Sequence, residues 1–314
     1  MQSAIPYRGR LAPSPTGFLH AGHALTFWHA QERCRARCGQ LVLRVEDLDR
    51  DRCRLEFREA LEEDLRWFGL CWTEGPILQS ERRSLYLDAW KKLRDCGLIY
   101  PCTCSRRDVL SAAGAPHLED EEPLYPGTCR PFSPTIPVAE DPVGRTWRFR
   151  VPEGRVLQFV DQRAGPQRTV AGRGFGDFVI WRKDDVPAYQ LAVVVDDADQ
   201  RITEVVRGAD LLRSTFRQLL LYRALALSAP EFCHVPLVTD SSGKRLAKRD
   251  DALSLRSLRA QGATPEEIRT RFAATWKPSW RGDEPEPERG VAPHEPHRWH
   301  HPDSRFDDQS FTSS

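Results

Sequence analysis

The stretch that decides the fold is RLAPSPTGFLHAGH, residues 10–23. It follows a short apolar segment and leads into a helical pattern over residues 24–37. Two prolines and a glycine disfavour regular structure between them. A strand, a stiff turn and a helix N-terminus in this order are typical of the phosphate site in a doubly wound fold. His20 and His23 lie beside Gly22 at that helix start, although a proline-rich turn with two surface histidines would give the same pattern.

Strands and helices alternate in the sequence on either side of this stretch. Apolar residues at 7–12 and LVLRV at 41–45 predict strands, and helical patterns follow at 55–68 and 81–96. Glycines end the helical patterns, and we expect Gly39 to be the C-cap of the first helix. Alternation with short connections favours an α/β fold with a Rossmann-type, doubly wound parallel sheet.

Composition and charge exclude some classes of protein. The chain has 314 residues, 40% of them hydrophobic, and 46 basic against 45 acidic residues. The net charge of +1 therefore neither favours nor excludes a nucleic-acid partner. No apolar run approaches the ~20 residues of a membrane span, and the N-terminus lacks a signal-peptide pattern. Nine cysteines without an export signal predict a reducing compartment. The protein is therefore expected to be cytoplasmic, and without an apolar span no membrane partner is expected.

The sequence changes character near residue 100. Short strand patterns at 146–151, 156–161 and 177–181 predict an α+β insertion at about 100–190, between two halves of the sheet. The α/β style returns at residue 188, and Ser214 is expected to cap the next helix. We predict one domain over 1–260 and a short C-terminal helix within 261–278, with Thr264 as its N-cap and Pro265 at its first position. The polar, proline-rich segment 279–314 is expected to be disordered.

A second basic motif, KRLAKRD, lies at residues 244–250. Its first six residues include four cations, which can hold a polyphosphate whose charge grows in a transition state. A solvated basic loop without a ligand is the alternative.

Three cysteines and a tyrosine in the predicted insertion form a possible metal site. PCTC supplies Cys102 and Cys104, and YPGTC supplies Tyr125 and Cys129. Three thiolates and a phenolate can complete a tetrahedral zinc shell. His117 competes as the fourth ligand, and ordinary reduced cysteines are the alternative. The other six cysteines are scattered, and we expect them to be ordinary core or surface residues.

Together, the two cationic motifs resemble the HIGH and KMSKS signatures of class I aminoacyl-tRNA synthetases. RLAPSPTG is similar to the version found in glutamyl and glutaminyl synthetases. VEDLD at 45–49 and AYQLAVVVDDADQRITEVVRGADLL at 188–212 resemble further blocks of that family, in the family's order. The resemblance covers about residues 7–260. It implies the class I catalytic core with a zinc-bearing insertion.

The length of the chain selects a branch of that family. Only about 60 residues follow the KMSKS-like loop, where full glutamyl synthetases carry an anticodon-binding domain. The chain therefore resembles the truncated branch, which activates L-glutamate with ATP without tRNA and transfers it to the queuosine base at the wobble position of tRNA(Asp). One alternative is a short glutamyl-tRNA synthetase that charges the 3′ end of tRNA(Glu). Another is a non-catalytic paralogue that binds glutamate or RNA.

The resemblance also implies residue roles. Two guanidiniums suit the two carboxylates of glutamate, and one carboxylate suits its ammonium group. The glutamate-binding residues are then Arg10, Leu11, Ala12, Pro13, Ser14, Glu46, Tyr189 and Arg207. The ATP-binding residues are His20, His23, Arg245 and Lys248, of which His20, His23 and Lys248 act on the phosphates during catalysis.

The implied cofactors are one structural Zn²⁺, bound by Cys102, Cys104, Tyr125 and Cys129, and Mg²⁺ bound with ATP. Arg245 and Ala247 depart from the lysine and serine of the family loop, so ATP binding is expected to be weaker. The second lysine of that loop is retained as Lys248. No apolar stripe indicates a dimer, and a monomer is expected.

Overall fold

The structure is a computed structural model that describes residues 6–105, 107–109, 124–238 and 253–273. Three parallel strands form the first sheet: β1 (Arg8–Leu11), β2 (Gln40–Val45) and β3 (Glu74–Leu78), in the order β1-β2-β3. The connecting helices are α1 (Ala21–Ala36) and α2 (Leu55–Trp67), and α3 (Arg83–Asp95) follows β3. The predicted alternation of strands and helices around a parallel sheet is confirmed.

A separate antiparallel sheet follows α3. It consists of β4 (Ile99–Cys102), β5 (Thr146–Phe149) and β8 (Phe178–Trp181), in the order β4-β5-β8. Trp147 and Trp181 are fully buried in it. Cys102, one cysteine of the predicted metal site, is the last residue of β4.

The second half of the core forms a mixed sheet in the order β7-β6-β10-β9. Its strands are β6 (Val156–Asp161), β7 (Gly165–Val170), β9 (Glu204–Gly208) and β10 (Glu231–Val235), and α4 (Tyr189–Asp199) and α5 (Leu212–Ala224) flank β9 in sequence. Strand β10 is parallel to both β9 and β6, whereas β7 is antiparallel to β6. The β6–β7 hairpin falls within the segment predicted as an insertion, yet it extends this core sheet.

The two halves of the core meet along β1 and β9. Thr203, immediately before β9, donates its amide hydrogen to the carbonyl oxygen of Arg8 at 2.8 Å. Arg10 on β1 reaches across and donates Nη1 to the carbonyl oxygen of Val206, also at 2.8 Å. This junction brings β1 and β9 together, as in a doubly wound fold, where ligands bind at the carboxyl ends of the strands.

Three predicted helix ends can be compared with the structure. The left-handed residue that ends α1 is Cys38 (φ 48°), so the prediction for Gly39 is wrong. Gly39 is instead required for space, because a Cβ there would lie 2.4 Å from Cδ1 of Tyr7. Ser214 is also not a cap: it lies inside the first turn of α5, where its hydroxyl accepts from Gln190. Thr264 does cap its helix, since its Oγ1 accepts from the amide of Glu267.

The C-terminal helices pack on the first half of the core. Helices α6 (Leu255–Ala260) and α7 (Pro265–Ala273) bury Leu255, Leu258 and Ile268 in the cluster that contains Leu43 and Leu65. Segment 253–273 is therefore part of the same packed core. Across the described ranges, none of the helices has the length and apolar character needed to cross a membrane.

Candidate active site

The first element of the site is the N-terminus of α1. His20 is the N-cap residue, and its Nδ1 accepts from the amide of Gly22 at 3.1 Å. Because Nδ1 accepts, the neutral ring carries its hydrogen on Nε2, the form that can donate to a phosphate oxygen. The ring centroid of His23 lies 6.4 Å from that of His20. We call residues 19–23 the histidine turn.

Both ends of the basic loop are attached to the histidine turn. Val238, the last described residue before the loop, lies opposite Gly22, where an added Cβ would be 3.7 Å from Cβ of Val238. After the loop, the amide of Leu255 donates to the carbonyl oxygen of Leu19 at 2.8 Å, and Ser254 forms a bridge with His20. Arg245, Ala247 and Lys248 lie outside the described residues, but the chain on either side of them begins and ends beside the predicted phosphate site.

The second element is a group of polar side chains near the carboxyl ends of β1, β2 and β9, which we call the arginine cleft (Arg10, Arg44, Glu46, Tyr189 and Arg207). Arg10 and Arg207 are only 4% and 5% exposed. Burial lowers the pKa of Arg207, and the positive charge of Arg10 lowers it further. Two guanidiniums thus influence each other inside one cleft, which favours binding of a carboxylate.

Glu46 and Tyr189 belong to the same cleft. Burial raises the pKa of Glu46, whereas the positive charges of Arg44 and Arg10 lower it. Desolvation of its hydroxyl and the charge of Glu46 raise the pKa of Tyr189, while Arg207 and Arg10 lower it. Tyr189 is 36% exposed, so it lies where the cleft opens to solvent. The four predicted side chains are therefore close enough to perturb one another.

The turn residues predicted to bind glutamate contribute differently. Leu11 is fully buried, and its side chain packs in the hydrophobic core. The carbonyl oxygen of Pro13 accepts from the amide of Glu46 at 2.9 Å, which attaches the turn to the end of β2. Ala12 is partly exposed and Ser14 is exposed. These residues shape the backbone beside Glu46.

Sequence reasoning missed two charged residues of the site. Arg44 is fully buried and donates to Asp197 at 2.7 Å and to Glu46 at 3.2 Å. Asp197 also lies 3.5 Å from Nε of Arg10, so it links the two arginines. A charged residue inside the apolar strand LVLRV, and an acidic pair directly after AVVV, were the signals in the sequence. Buried charges at such positions need partners.

The third element is the cysteine cluster (Cys102, Cys104, Tyr125 and Cys129). The three Sγ atoms lie within 4.8 Å of one another, and those of Cys104 and Cys129 are 3.6 Å apart. The Tyr125 hydroxyl oxygen is 3.4 Å from Sγ of Cys102 and 3.6 Å from Sγ of Cys104. Ligand sulfurs in tetrahedral zinc sites lie about 3.8 Å apart, given Zn–S bonds of about 2.3 Å. The cluster can therefore hold a metal ion such as zinc.

Neighbouring groups favour a thiolate at Cys129, whereas burial raises the pKa of Cys104. Burial would raise the pKa of Cys129, but hydrogen bonds from Thr103, Tyr125 and Cys104 lower it to about 6. Arg148 donates Nε to Sγ of Cys102 at 3.2 Å and lies 3.8 Å from the ring centroid of Tyr125. His117, the competing ligand, lies outside the described residues. All nine cysteines are free thiols, and the other six do not join this cluster.

With this geometry established, the family of the chain can be stated. Residues 7–277 match the family described as tRNA synthetases class I (E and Q), catalytic domain. The match covers most of the chain and all three elements of the site. The chain belongs to this family of class I tRNA synthetases.

Curated relatives identify a branch within that family. The chain is 47% identical over 292 residues to the glutamyl-Q tRNA(Asp) synthetase of Symbiobacterium thermophilum, covering 90% of this chain and 89% of that protein. It is 46% identical over 276 residues to the protein of the same name from Rhodopirellula baltica, covering 84% and 83% of the two chains. Nearly the whole length of these relatives is matched.

Solved structures give the same class. A glutamate-tRNA synthetase from Elizabethkingia anophelis has a TM-score of 0.66 and 28% identity over 78% of this chain. The chain spans about half the length of that structure, 53%. A methionyl-tRNA synthetase from Mycobacterium tuberculosis has a TM-score of 0.54 at 10% identity, which indicates a shared fold alone.

Proposed function

We propose that the protein is an ATP-dependent ligase that glutamylates queuosine in tRNA(Asp). The observation that supports this proposal is the proximity of Arg10, Glu46, Tyr189 and Arg207, whose charges affect one another's pKa values. The identity of 47% to a glutamyl-Q tRNA(Asp) synthetase, across nine-tenths of both chains, supports it. On this proposal, Arg10 and Arg207 bind the carboxylates of glutamate, and Glu46 binds its ammonium group.

The first step is activation of glutamate. One oxygen of its α-carboxylate attacks the α-phosphorus of ATP, a P–O bond forms, and pyrophosphate leaves with the electron pair of the broken bond. No protein nucleophile is needed, so the protein contributes positioning and charge stabilisation. His20 and His23 contact the phosphates, and Lys248, with Arg245, neutralises negative charge on the leaving pyrophosphate. Mg²⁺ bound with the nucleotide supplies further neutralisation.

The second step transfers glutamate to the tRNA. A hydroxyl group of the queuosine cyclopentene ring attacks the carbonyl carbon of the adenylate, and AMP leaves.

We further propose that Cys102, Cys104, Tyr125 and Cys129 bind one structural zinc ion. The enzyme is proposed to act as a monomer in the cytoplasm, with a catalytic domain over residues 1–260.

The decisive experiment uses labelled glutamate with tRNA(Asp) that carries or lacks queuosine. Label on the queuosine-bearing tRNA alone is the expected result. Label on the 3′ end of tRNA(Glu) would instead favour the second candidate, a glutamyl-tRNA synthetase, which the similarity to the Elizabethkingia structure makes relevant. Pyrophosphate exchange that requires tRNA would also favour this second candidate. Absence of glutamyl-adenylate formation from ATP and glutamate, with and without tRNA, would identify a non-catalytic paralogue.

A further inference from the structure

Three buried polar side chains on three neighbouring strands form a chain that ends in the arginine cleft. Asp161 on β6 lies 2.6 Å from Nδ1 of His234 on β10. His234 Nε2 in turn accepts from Nε of Arg207 on β9 at 3.0 Å. Asp161 and His234 are each 2% exposed, so water does not compete for these contacts.

The hydrogen bonds determine the tautomer of His234. Asp161 is held as a carboxylate because it also accepts from the backbone amides of Ala164, Arg163 and His234. A carboxylate can only accept, so Nδ1 of His234 carries a hydrogen and donates. Burial lowers the pKa of His234 despite the opposing effect of Asp161, so the ring is neutral. Nε2 therefore has no hydrogen, and it can accept from Arg207.

The same contacts orient the guanidinium of Arg207. Nε is used by His234, and Nη2 donates to Oγ1 of Thr215 at 2.8 Å. Among the described residues, none accepts a hydrogen bond from Nη1. Two anchors on a planar group fix its plane, and the remaining nitrogen is available to a ligand.

We propose that Asp161 and His234 are positioning residues that hold the guanidinium of Arg207 in the orientation that binds a carboxylate of glutamate. This inference rests on the proposed function, because it takes Arg207 as a glutamate ligand. Neither residue touches the substrate. Asp161 sets the tautomer of His234, and His234 sets the plane of Arg207.

The first test is Asp161→Asn. The amide group can donate to Nδ1 of His234, which moves the ring hydrogen to Nε2, where it opposes the Nε hydrogen of Arg207. The KM for glutamate in pyrophosphate exchange is expected to rise about 10- to 100-fold, the worth of a hydrogen bond to a charged group, with the KM for ATP unchanged. Isothermal titration with glutamate alone should show the same loss. A folded variant with unchanged glutamate affinity would overturn the inference.

A second pair of variants tests His234 directly and does not depend on Asp161→Asn folding. In His234→Gln the amide oxygen can replace Nε2 as acceptor, so the KM for glutamate is expected to stay within about threefold. In His234→Leu no acceptor remains, and the KM should rise about 10- to 100-fold. Equal glutamate affinity in the two variants would overturn the inference.

Glu204→Gln is the matched control. Glu204 is a fully buried carboxylate on the same strand as Arg207, but it pairs with Arg33, Arg37 and Tyr7. Its replacement should lower the melting temperature without changing the KM for glutamate. A wild-type protein that binds no glutamate would overturn the proposed function together with this inference. Wild-type exchange with unaffected positioning variants would overturn the inference alone.

Discussion

The arginine cleft and the cysteine cluster hold their polar groups in opposite ways. In the cleft, Arg44 donates to Glu46 and to Asp197, and Asp197 also lies against Arg10. In the cluster, the Sγ atoms of Cys104 and Cys129 contact each other, and those of Cys102 and Cys104 contact the hydroxyl of Tyr125. The cleft balances its charges with protein groups, whereas thiolates in the cluster would repel one another.

This difference indicates what holds the side chains in place in each of the two regions. The cleft is built at the ends of parallel strands, whose backbone fixes the arginines before a ligand binds. The cluster joins β4 to the loop that carries Tyr125 and Cys129. Within the described residues, Arg148 is the cation that donates to it, one positive charge against several thiolates. On the proposal that the cluster binds zinc, the cation would be the main source of order there. The two regions should therefore respond independently to substitution.

The largest effect is expected for Arg207→Met. The substitution removes one guanidinium from a buried, hydrogen-bonded network. Loss of such a charged partner weakens the binding of glutamate by about 3–4 kcal/mol. The KM for glutamate in pyrophosphate exchange should rise about 100- to 1000-fold. Metal content measured by mass spectrometry should not change. A loss of metal in this variant would break the proposed independence of the two regions.

The reverse experiment is Cys104→Ser. Removing one of three thiolates should weaken zinc binding at least about 100-fold. Loss of a residue that only hydrogen-bonds to a metal ligand already lowers metal affinity by up to about 100-fold. Competition with a chromophoric chelator measures this affinity. Cys96→Ser is the control, because Cys96 is exposed and lies outside the cluster. A KM for glutamate that rises more than about threefold would contradict independence.

Arg148→Met refines the account of the cluster. The variant retains the three cysteines but removes the donor to Sγ of Cys102, so zinc binding should weaken about 10- to 100-fold. Arg150→Met is a matched control two residues along the chain, where the guanidinium donates to the carbonyl oxygen of Pro131 instead. The same chelator competition serves both variants. Equal zinc affinities would show that the positive charge of Arg148 does not matter.

The smallest effect concerns stability and belongs to neither region. Burial and the charges of Arg163 and Arg33 lower the pKa of His29 to about 4, below its unfolded value of about 6.5. The unfolded state therefore binds the proton more readily, and stability that is complete above pH 6.5 falls as the pH decreases towards 4. After a discount for partial exposure, the loss is on the order of 1–2 kcal/mol.

Urea unfolding at pH 7 and pH 4.5 measures this loss, and His29→Gln should reduce it. At pH 7 the wild-type imidazole is neutral. The free energy of unfolding of each protein at pH 7 therefore serves as the reference for its own value at pH 4.5. An identical pH dependence in the two proteins would assign the acid sensitivity to other groups. One candidate is His234, whose pKa is also lowered by burial.

The sequence predicted the parallel core because local patterns decide it. LVLRV at 41–45 is a buried strand, and the glycines at 69 and 97 adopt positive φ at helix ends. The β6–β7 hairpin was assigned to the insertion because its local sequence predicts a strand but not the strand with which it pairs. Its pairing with β10 depends on Asp161 and His234, which are 73 residues apart.

The site was predicted as far as motifs could identify it. Residues such as Arg10 and Arg207 were named from their motifs, and their roles stay predictions. Arg44, Asp197 and His234 were missed because each acts through a partner that is far away in sequence. A buried charge is visible in a strand pattern, but its partner appears only when the chain is folded.

The attachment of the basic loop to the histidine turn has a kinetic consequence. Val238, before segment 239–252, lies beside Gly22, and Leu255, after it, donates to Leu19, so the lysines of the segment are tethered at both ends. Groups held by short tethers have effective concentrations in the millimolar range, about what a weakly bound phosphate ligand requires. Doubling the length of such a loop costs only about 0.6 kcal/mol. Cutting the loop would leave Lys248 attached at one end alone and would lower its effective concentration at the histidine turn.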